Sequence, residues 1–134
     1  MIYGIGTDIV KIARMQESID KHGERFARRI LSDEEFARYQ EHAFPAAFLA
    51  KRFAAKEATA KALGTGFRDG LSLRHIEVVN NPLGKPELCL HNRASELAND
   101  FGIDGSHLSL SDERDYAIAY VVLTTAKEVT IGHI

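Results

Sequence analysis

A long alanine-rich segment between Pro45 and Gly64 constrains the fold of this chain more than any other feature. It contains eight alanines and no internal glycine or proline. Alanine has the highest helix propensity, proline is well tolerated in the first turn of a helix, and glycine commonly follows a helix end. The pattern therefore predicts one uninterrupted helix from Pro45 to Leu63.

The elements around this helix are shorter. The first twelve residues alternate in character and are rich in Ile, Val and Tyr, which is typical of a strand. Ser32 followed by Glu35 matches a capping box, which predicts a helix start. We further predict an interrupted helix over 13–30, strands over 75–80, 86–91, 106–111 and 116–123, and a helix over 92–101 capped by Asn92. Early helices and late strands predict a single α+β domain over residues 1–134, with helices packed on a small, mainly antiparallel sheet.

Length and composition exclude several classes of protein. With 134 residues, 45% of them hydrophobic and 27% charged, the chain has the profile of one globular domain rather than a disordered chain or a coiled-coil rod. A net charge of −2 argues against a nucleic-acid partner. No secretory signal or membrane span is visible, because Asp8 and Lys11 interrupt the N-terminal apolar stretch. We therefore expect a cytoplasmic protein, with its single cysteine, Cys89, as a core thiol.

The charge is distributed unevenly along the chain. Residues 1–74 hold 13 Lys and Arg against 10 Asp and Glu, whereas residues 75–134 hold 4 against 9. Four arginines, Arg14, Arg25, Arg28 and Arg29, lie close together in the basic half. Such a cluster is either an ordinary solvated helix face or a docking surface for an acidic partner.

The first polar candidate is Asp8, in the segment Gly4-Ile-Gly-Thr-Asp8. The two glycines do not have the spacing of a dinucleotide-binding loop. We expect them instead to let another element approach the strand closely. Asp8 is then either a solvent-facing strand residue or a ligand for a hard cation, since a short carboxylate on a rigid strand holds its oxygens well.

The second candidate is an acid–base pair on the alanine-rich helix. Phe53, Glu57 and Lys61 fall within an arc of about 80° on one face. One interpretation is an exposed Glu–Lys pair one turn apart. The other is a two-carboxylate site in which Asp8 and Glu57 hold Mg²⁺ and Lys61 points at the phosphates of a substrate. A nucleotide site of the P-loop kind is excluded because the chain has no GxxxxGK[ST] segment.

At these residues the sequence resembles the holo-[acyl-carrier-protein] synthases, the small-subunit family of 4′-phosphopantetheinyl transferases. The main matching stretches are Gly4-Ile-Gly-Thr-Asp8-Ile, Arg52-Phe-Ala-Ala-Lys-Glu-Ala-Thr-Ala-Lys61-Ala and Leu63-Gly-Thr-Gly66. The resemblance implies a 4′-phosphopantetheinyl transferase-like fold. It also implies transfer of the phosphopantetheine arm of coenzyme A to a serine of apo acyl carrier protein, with release of adenosine 3′,5′-bisphosphate, in fatty acid biosynthesis.

The resemblance also implies roles for individual residues. Asp8 and Glu57 would hold Mg²⁺, with Mn²⁺ as the alternative ion, and Lys61 would contact the diphosphate. These three would form the catalytic set, in a homotrimer with active sites between subunits. The coenzyme A contacts carried over are Arg52, Lys56, Lys61, Gly64, Thr65, Gly66, Lys85 and Pro86. The carrier-protein docking residues are Arg14, Arg25, Phe26 and Arg29.

The proton acceptor is the role that the resemblance leaves open. Some relatives have Ser-x-Ser-His on the last hairpin, whereas this chain has Ser109-Leu-Ser111-Asp112. The candidates are Glu57, a metal-ordered water, Asp112 and His107. Two other functions are also compatible with the sequence: a different Mg²⁺-dependent enzyme that cleaves diphosphates, and a non-catalytic adaptor that binds acidic proteins.

Overall fold

The structure is a computed structural model, and it describes residues 1–126. The alternating first segment forms a strand, the alanine-rich segment forms one long helix, and the strands of the second half form hairpins. In chain order the elements are β1 Ile2–Lys11, α1 Ile12–His22, α2 Glu24–Ile30, α3 Asp33–Glu41, α4 Pro45–Leu63, β2 Ile76–Asn80, β3 Pro86–Leu90, α5 Asn92–Phe101, β4 Ile103–Asp112 and β5 Tyr116–Thr125.

The strands form two antiparallel sheets. One has three strands in the order β1-β5-β4, and the other is the two-stranded ribbon β2-β3. Alternate residues of the central strand β5 face the interior, and Ala117, Ala119, Val121 and Leu123 are fully buried there. The α+β class with a small antiparallel sheet is thereby confirmed.

Helix α4 packs across the buried face of the three-stranded sheet. A methyl group built on Gly4 would collide with the carbonyl oxygen of Ala62, and one on Gly6 with that of Ala58. These two glycines therefore let the backbones of β1 and α4 come closer than any other residue type allows. The prediction that the glycines admit a neighbouring element is confirmed, and the small side chains of α4 are the other half of the same contact.

The predicted helix boundaries agree with the structure at most positions. Gly23, at φ 62°, separates α1 from α2, and α4 ends at Gly64 in the left-handed conformation. Both hydrogen bonds of the capping box at Ser32 and Glu35 are present. The predicted cap at Asn92 is wrong: His91 occupies the N-cap position of α5, and its side chain makes no capping hydrogen bond.

The prediction that Cys89 is a core thiol is also wrong. Leu88 and Leu90 pack against the core, so Cys89, which lies between them on β3, points to the opposite face of the ribbon and is partly exposed. Over the described residues, the structure contains no helix with the length and apolar character that crossing a membrane requires.

A buried ion pair connects α3, α4 and the β2-β3 ribbon. The Lys56 ammonium donates to a Glu35 carboxylate oxygen at 2.7 Å, to the Leu73 carbonyl at 3.1 Å and to the Ile76 carbonyl. The other Glu35 oxygen accepts the backbone N–H of Val78 at 3.0 Å. Because both side chains are almost completely buried, these bonds satisfy polar groups that water cannot reach.

Candidate active site

The candidate active site lies where β1 crosses the C-terminal half of α4. Asp8 follows Gly4 and Gly6 on the same, helix-facing side of the strand. The Lys61 ammonium donates to an Asp8 carboxylate oxygen at 3.0 Å and to the Thr7 carbonyl at 2.9 Å. The close approach that the glycines permit thus brings Asp8 to the polar edge of an alanine-rich helix.

Glu57 completes the cluster from one turn earlier on α4. Its pKa is raised above the ordinary value, first because the side chain is partly buried and second because the Asp8 carboxylate is close, while Lys61 acts in the opposite direction. The structure therefore brings Asp8, Glu57 and Lys61 together. Two carboxylates that repel each other beside one ammonium form a suitable site for a divalent cation, whose charge removes the repulsion.

The structure places Lys56 outside this cluster. Its ammonium is completely buried and is engaged by Glu35 and two backbone carbonyls, and burial lowers its pKa although Glu35 opposes the shift. The predicted contact between Lys56 and coenzyme A disagrees with this position, because a ligand cannot reach the ammonium without disrupting those bonds. Lys56 is one residue from Glu57, but successive helix residues point in directions about 100° apart.

A basic cavity lies near the N-terminal half of α4. Its walls include Arg52 and Lys51 of α4 and the Gly84–Pro86 turn between β2 and β3. Two of the predicted coenzyme A contacts, Arg52 and Pro86, therefore line the cavity, and a third, Lys85, lies between Gly84 and Pro86 in sequence. Arg38 and His42 also line this cavity. Sequence analysis missed Lys51, Arg38 and His42, because only the folded chain brings α3, α4 and this turn together.

Arg52 is the most constrained group of the basic cavity. It is 4% exposed, its guanidinium lies 4.4 Å from the centre of the Phe48 ring, and its Nε lies 3.8 Å from a Glu35 oxygen. This Nε has no hydrogen-bond partner in the described part of the chain. Burial lowers the pKa of Arg52, against the effect of Glu35. The predicted contacts Gly64, Thr65 and Gly66 instead follow Lys61 at the other end of α4.

The predicted docking residues lie mainly around one surface cavity. Arg25, Phe26 and Arg29 of α2 line it together with Ser18 and His22 of α1. Arg14 lies on α1, exposed, and is not among these lining residues. Within residues 1–126 neither Arg25 nor Arg29 forms an ion pair, whereas Arg28 lies 3.9 Å from Glu24 and 4.0 Å from the centre of the Phe36 ring.

Two of the candidate proton acceptors lie apart from Asp8 and Glu57 within this chain. Asp112, at the end of β4, forms an ion pair with Lys51 at 3.2 Å. His107 is exposed on β4, opposite Val122 of β5. Glu57 is therefore the candidate that the chain itself places in the carboxylate cluster.

On the face of the three-stranded sheet that α4 leaves uncovered, β1 and β5 carry several exposed apolar side chains. Ile9 of β1 is 61% exposed and pairs with Ile118 of β5, which is 41% exposed. Ile5, Tyr116 and Tyr120 extend the same exposed surface. Sequence analysis did not single out these residues, although the alternation in β1 and β5 contains the signal. Several large exposed apolar side chains on neighbouring strands are typical of an interface between proteins.

Comparison with known proteins gives a consistent result. The family model described as the 4′-phosphopantetheinyl transferase superfamily matches residues 4–121. A protein of Yersinia pestis named holo-[acyl-carrier-protein] synthase is 57% identical over 122 residues, which is 91% of this chain and 97% of the relative. The crystal structure of the holo-[acyl-carrier-protein] synthase from Neisseria meningitidis has a TM-score of 0.88 at 46% identity, over 93% of this chain and 100% of that one. The synthase from Bacillus anthracis, solved in complex with CoA (3′,5′-ADP), has a TM-score of 0.78 at 37% identity, over 94% and 99% of the two chains.

Proposed function

The chain belongs to the 4′-phosphopantetheinyl transferase superfamily, and from this membership we propose that it transfers the 4′-phosphopantetheine arm of coenzyme A to a serine of an apo acyl carrier protein. The observation that carries the proposal is the cluster of Asp8, Glu57 and Lys61 at the crossing of β1 and α4. Phosphoryl transfer depends mainly on positioning and charge neutralisation, and this cluster offers both.

Asp8 and Glu57 fit a magnesium ion. Both present only carboxylate oxygens, which hard cations prefer, and the pKa of Glu57 is raised by burial and by the neighbouring Asp8 charge. Mg²⁺ bound here would neutralise negative charge on the diphosphate of coenzyme A. A neighbouring cation would in turn favour the ionised form of Glu57.

The chain's own residues orient the reacting groups. In the proposed step the carrier serine oxygen bonds to the phosphorus that bears the pantetheine. The bond from that phosphorus to the bridging oxygen breaks, and adenosine 3′,5′-bisphosphate leaves with the electron pair. The Lys61 ammonium, free to turn from Asp8 because its side chain is 54% exposed, stabilises charge on the leaving phosphate.

Glu57 is the proposed acceptor of the serine proton. It is the carboxylate of the cluster that lies one helical turn from Lys61, and it would take up the proton directly or through a water that the metal orders. Asp112 is a weaker candidate, since it pairs with Lys51, and so is His107 on the outer side of the sheet.

The basic cavity is the proposed site for the nucleotide end of coenzyme A. Arg52, Lys51 and Arg38 converge on it, and the Gly84–Pro86 turn leaves room beside them. Arg52 lines this cavity, and a guanidinium suits a phosphate group, which accepts several hydrogen bonds. Lys85 is exposed and lies between Gly84 and Pro86, which both line the cavity, and from there it would contact the same phosphate.

The uncovered sheet face supports the expectation of a homotrimer with active sites between subunits. Ile5, Ile9, Ile118 and Tyr120 would lose their contact with water in such an assembly. Arg25 and Arg29, which lie beside Phe26 and form no ion pair within residues 1–126, support the docking of an acidic carrier protein on α2. We also propose a role in fatty acid biosynthesis, which the family resemblance implies, and a cytoplasmic location, which the composition of the sequence suggests.

The test is a mass measurement on the carrier. Purified protein, coenzyme A, Mg²⁺ and apo acyl carrier protein are incubated with and without EDTA, and the carrier mass should rise by one phosphopantetheine only without EDTA. An unchanged mass with several carriers would refute the proposal. Turnover of coenzyme A without a carrier would favour another diphosphate-cleaving enzyme. Carrier binding without any transfer would favour an adaptor.

A further inference from the structure

The β2-β3 ribbon carries a second cluster of metal-binding side chains, away from Asp8 and Glu57. Glu77, Cys89 and His91 each offer one ligand atom, and these three atoms lie within 4.8 Å of one another. We propose that this cluster binds a transition-metal ion of the Zn²⁺ class. The proposal does not depend on the transferase reaction, because none of these residues belongs to the catalytic cluster.

The strand register brings the three side chains together. Glu77 of β2 pairs directly with Cys89 of β3. His91 lies one residue beyond the end of β3, but its backbone is still extended (φ −125°, ψ 159°), so its side chain points to the same side as that of Cys89. The core-facing neighbours Leu88 and Leu90 keep the ribbon in this orientation, because turning it over would expose them. The convergence is therefore a property of the backbone.

Two hydrogen bonds hold the ends of this arrangement. The Ser32 hydroxyl donates to one Glu77 oxygen at 2.5 Å, so the other oxygen faces the Nε2 of His91 at 3.3 Å. The backbone N–H of His91 donates to the His75 carbonyl at 2.8 Å, which fixes where the chain leaves β3. Two of the three ligands are thus positioned before any metal binds.

The ligand chemistry separates this site from the magnesium site. A thiolate, an imidazole and a carboxylate form a mixed S, N, O set, which favours Zn²⁺ or Co²⁺ over Mg²⁺. In a tetrahedral site with bonds of 2.0–2.3 Å, the ligand atoms lie about 3.5 Å apart. Side-chain rotations that move the ligand atoms by roughly 1 Å would therefore bring the observed cluster to this spacing. Glu77 and His91 also line a surface cavity together with Ser72 and Arg74, and water from this cavity would supply the fourth ligand of a bound ion.

Cobalt spectroscopy tests the proposal. The full chain is freed of metal with a chelator, dialysed and titrated with Co²⁺. A thiolate-to-Co²⁺ charge-transfer band should develop with one equivalent of Co²⁺ in the wild type. Cys89→Ser should lose this band. In His91→Gln the Co²⁺ affinity measured from the band should fall at least tenfold. Asp8→Asn, which alters the magnesium site, and His107→Gln, an exposed histidine on the other sheet, should keep the band.

Thermal denaturation gives an independent measurement. Zn²⁺ should raise the melting temperature of the wild type and of Asp8→Asn but not that of Cys89→Ser. Cys89→Ser is the chosen variant because it removes one ligand and leaves the Ser32–Glu77 hydrogen bond intact. Absence of the charge-transfer band in the wild type, or an unchanged band in Cys89→Ser, would overturn the proposal.

Discussion

Replacing Lys56 by methionine tests the structural role that the fold assigns to this residue. The substitution keeps the side-chain length but removes the ammonium that binds Glu35 at 2.7 Å and the carbonyls of Leu73 and Ile76. It leaves the Glu35 carboxylate 1% exposed, and among the described residues the only remaining ion-pair partner is Arg52, whose Nε is 3.8 Å away. The variant therefore isolates a buried charge.

The expected loss of stability is large. Breaking a buried ion pair by removing one partner costs about 3–5 kcal/mol. That is a large part of the roughly 5–15 kcal/mol by which domains are stable. Arg52 compensates part of the charge, so we expect a value near the lower end, about 3 kcal/mol. The double variant Glu35→Gln/Lys56→Met should recover part of this loss, because it removes the uncompensated charge.

Urea denaturation followed by circular dichroism measures this effect. The variants are compared at one protein concentration, because any oligomer would make stability depend on it. Lys21→Met, an exposed lysine at the end of α1, is the matched control and should change stability by less than about 0.5 kcal/mol. A Lys56→Met protein within about 1 kcal/mol of wild type would refute the argument and reopen Lys56 as a ligand contact.

Three further predictions follow from the site. Gly6→Ala should destabilise the protein by about 1–3 kcal/mol in urea denaturation and slow transfer, because the new methyl group meets the Ala58 carbonyl and separates β1 from α4. In calorimetry, Arg25→Glu should weaken carrier binding and reduce its salt dependence, while coenzyme A binding stays unchanged. An equal loss of carrier binding and coenzyme A binding would contradict the assignment of Arg25 to a docking surface. Because burial and Asp8 raise the pKa of Glu57, this carboxyl stabilises the metal-free fold below its unfolded pKa, and that contribution disappears as pH rises through the raised pKa. Glu57→Gln should remove this part of the pH dependence of stability, and an unchanged pH profile would count against the raised pKa.

Local sequence signals predicted most of the fold. Pro45, Gly64 and the Ser32–Glu35 capping box set helix ends within the chain itself, so neighbouring residues suffice to find them. A close contact between the Gly4–Gly6 strand and another element was predictable, because glycines in a strand and alanines in a helix both allow two backbones to approach. The meeting of Asp8 with Glu57 follows from that contact.

The parts that sequence analysis did not find depend on distant partners. The family resemblance implies a ligand contact for Lys56, and sequence reasoning cannot correct this, because its counterion, Glu35, lies 21 residues earlier and no local pattern links them. The orientation of Cys89 was mistaken because an apolar run of three residues does not show which side faces the core. Lys51 likewise becomes part of a cavity only when the Gly84–Pro86 turn reaches α4.

If Asp8 and Glu57 form the catalytic metal site, removing either carboxylate abolishes transfer and leaves carrier binding intact, and one experiment measures both. Transfer to the carrier is followed by mass spectrometry for wild type, Asp8→Asn, Glu57→Gln and the control Glu87→Gln, an exposed glutamate on β3. Carrier binding is measured in parallel by calorimetry. We predict that Asp8→Asn and Glu57→Gln lose transfer at least a hundredfold while carrier binding and the control remain close to wild type. Transfer by Glu57→Gln at the wild-type rate would contradict the account.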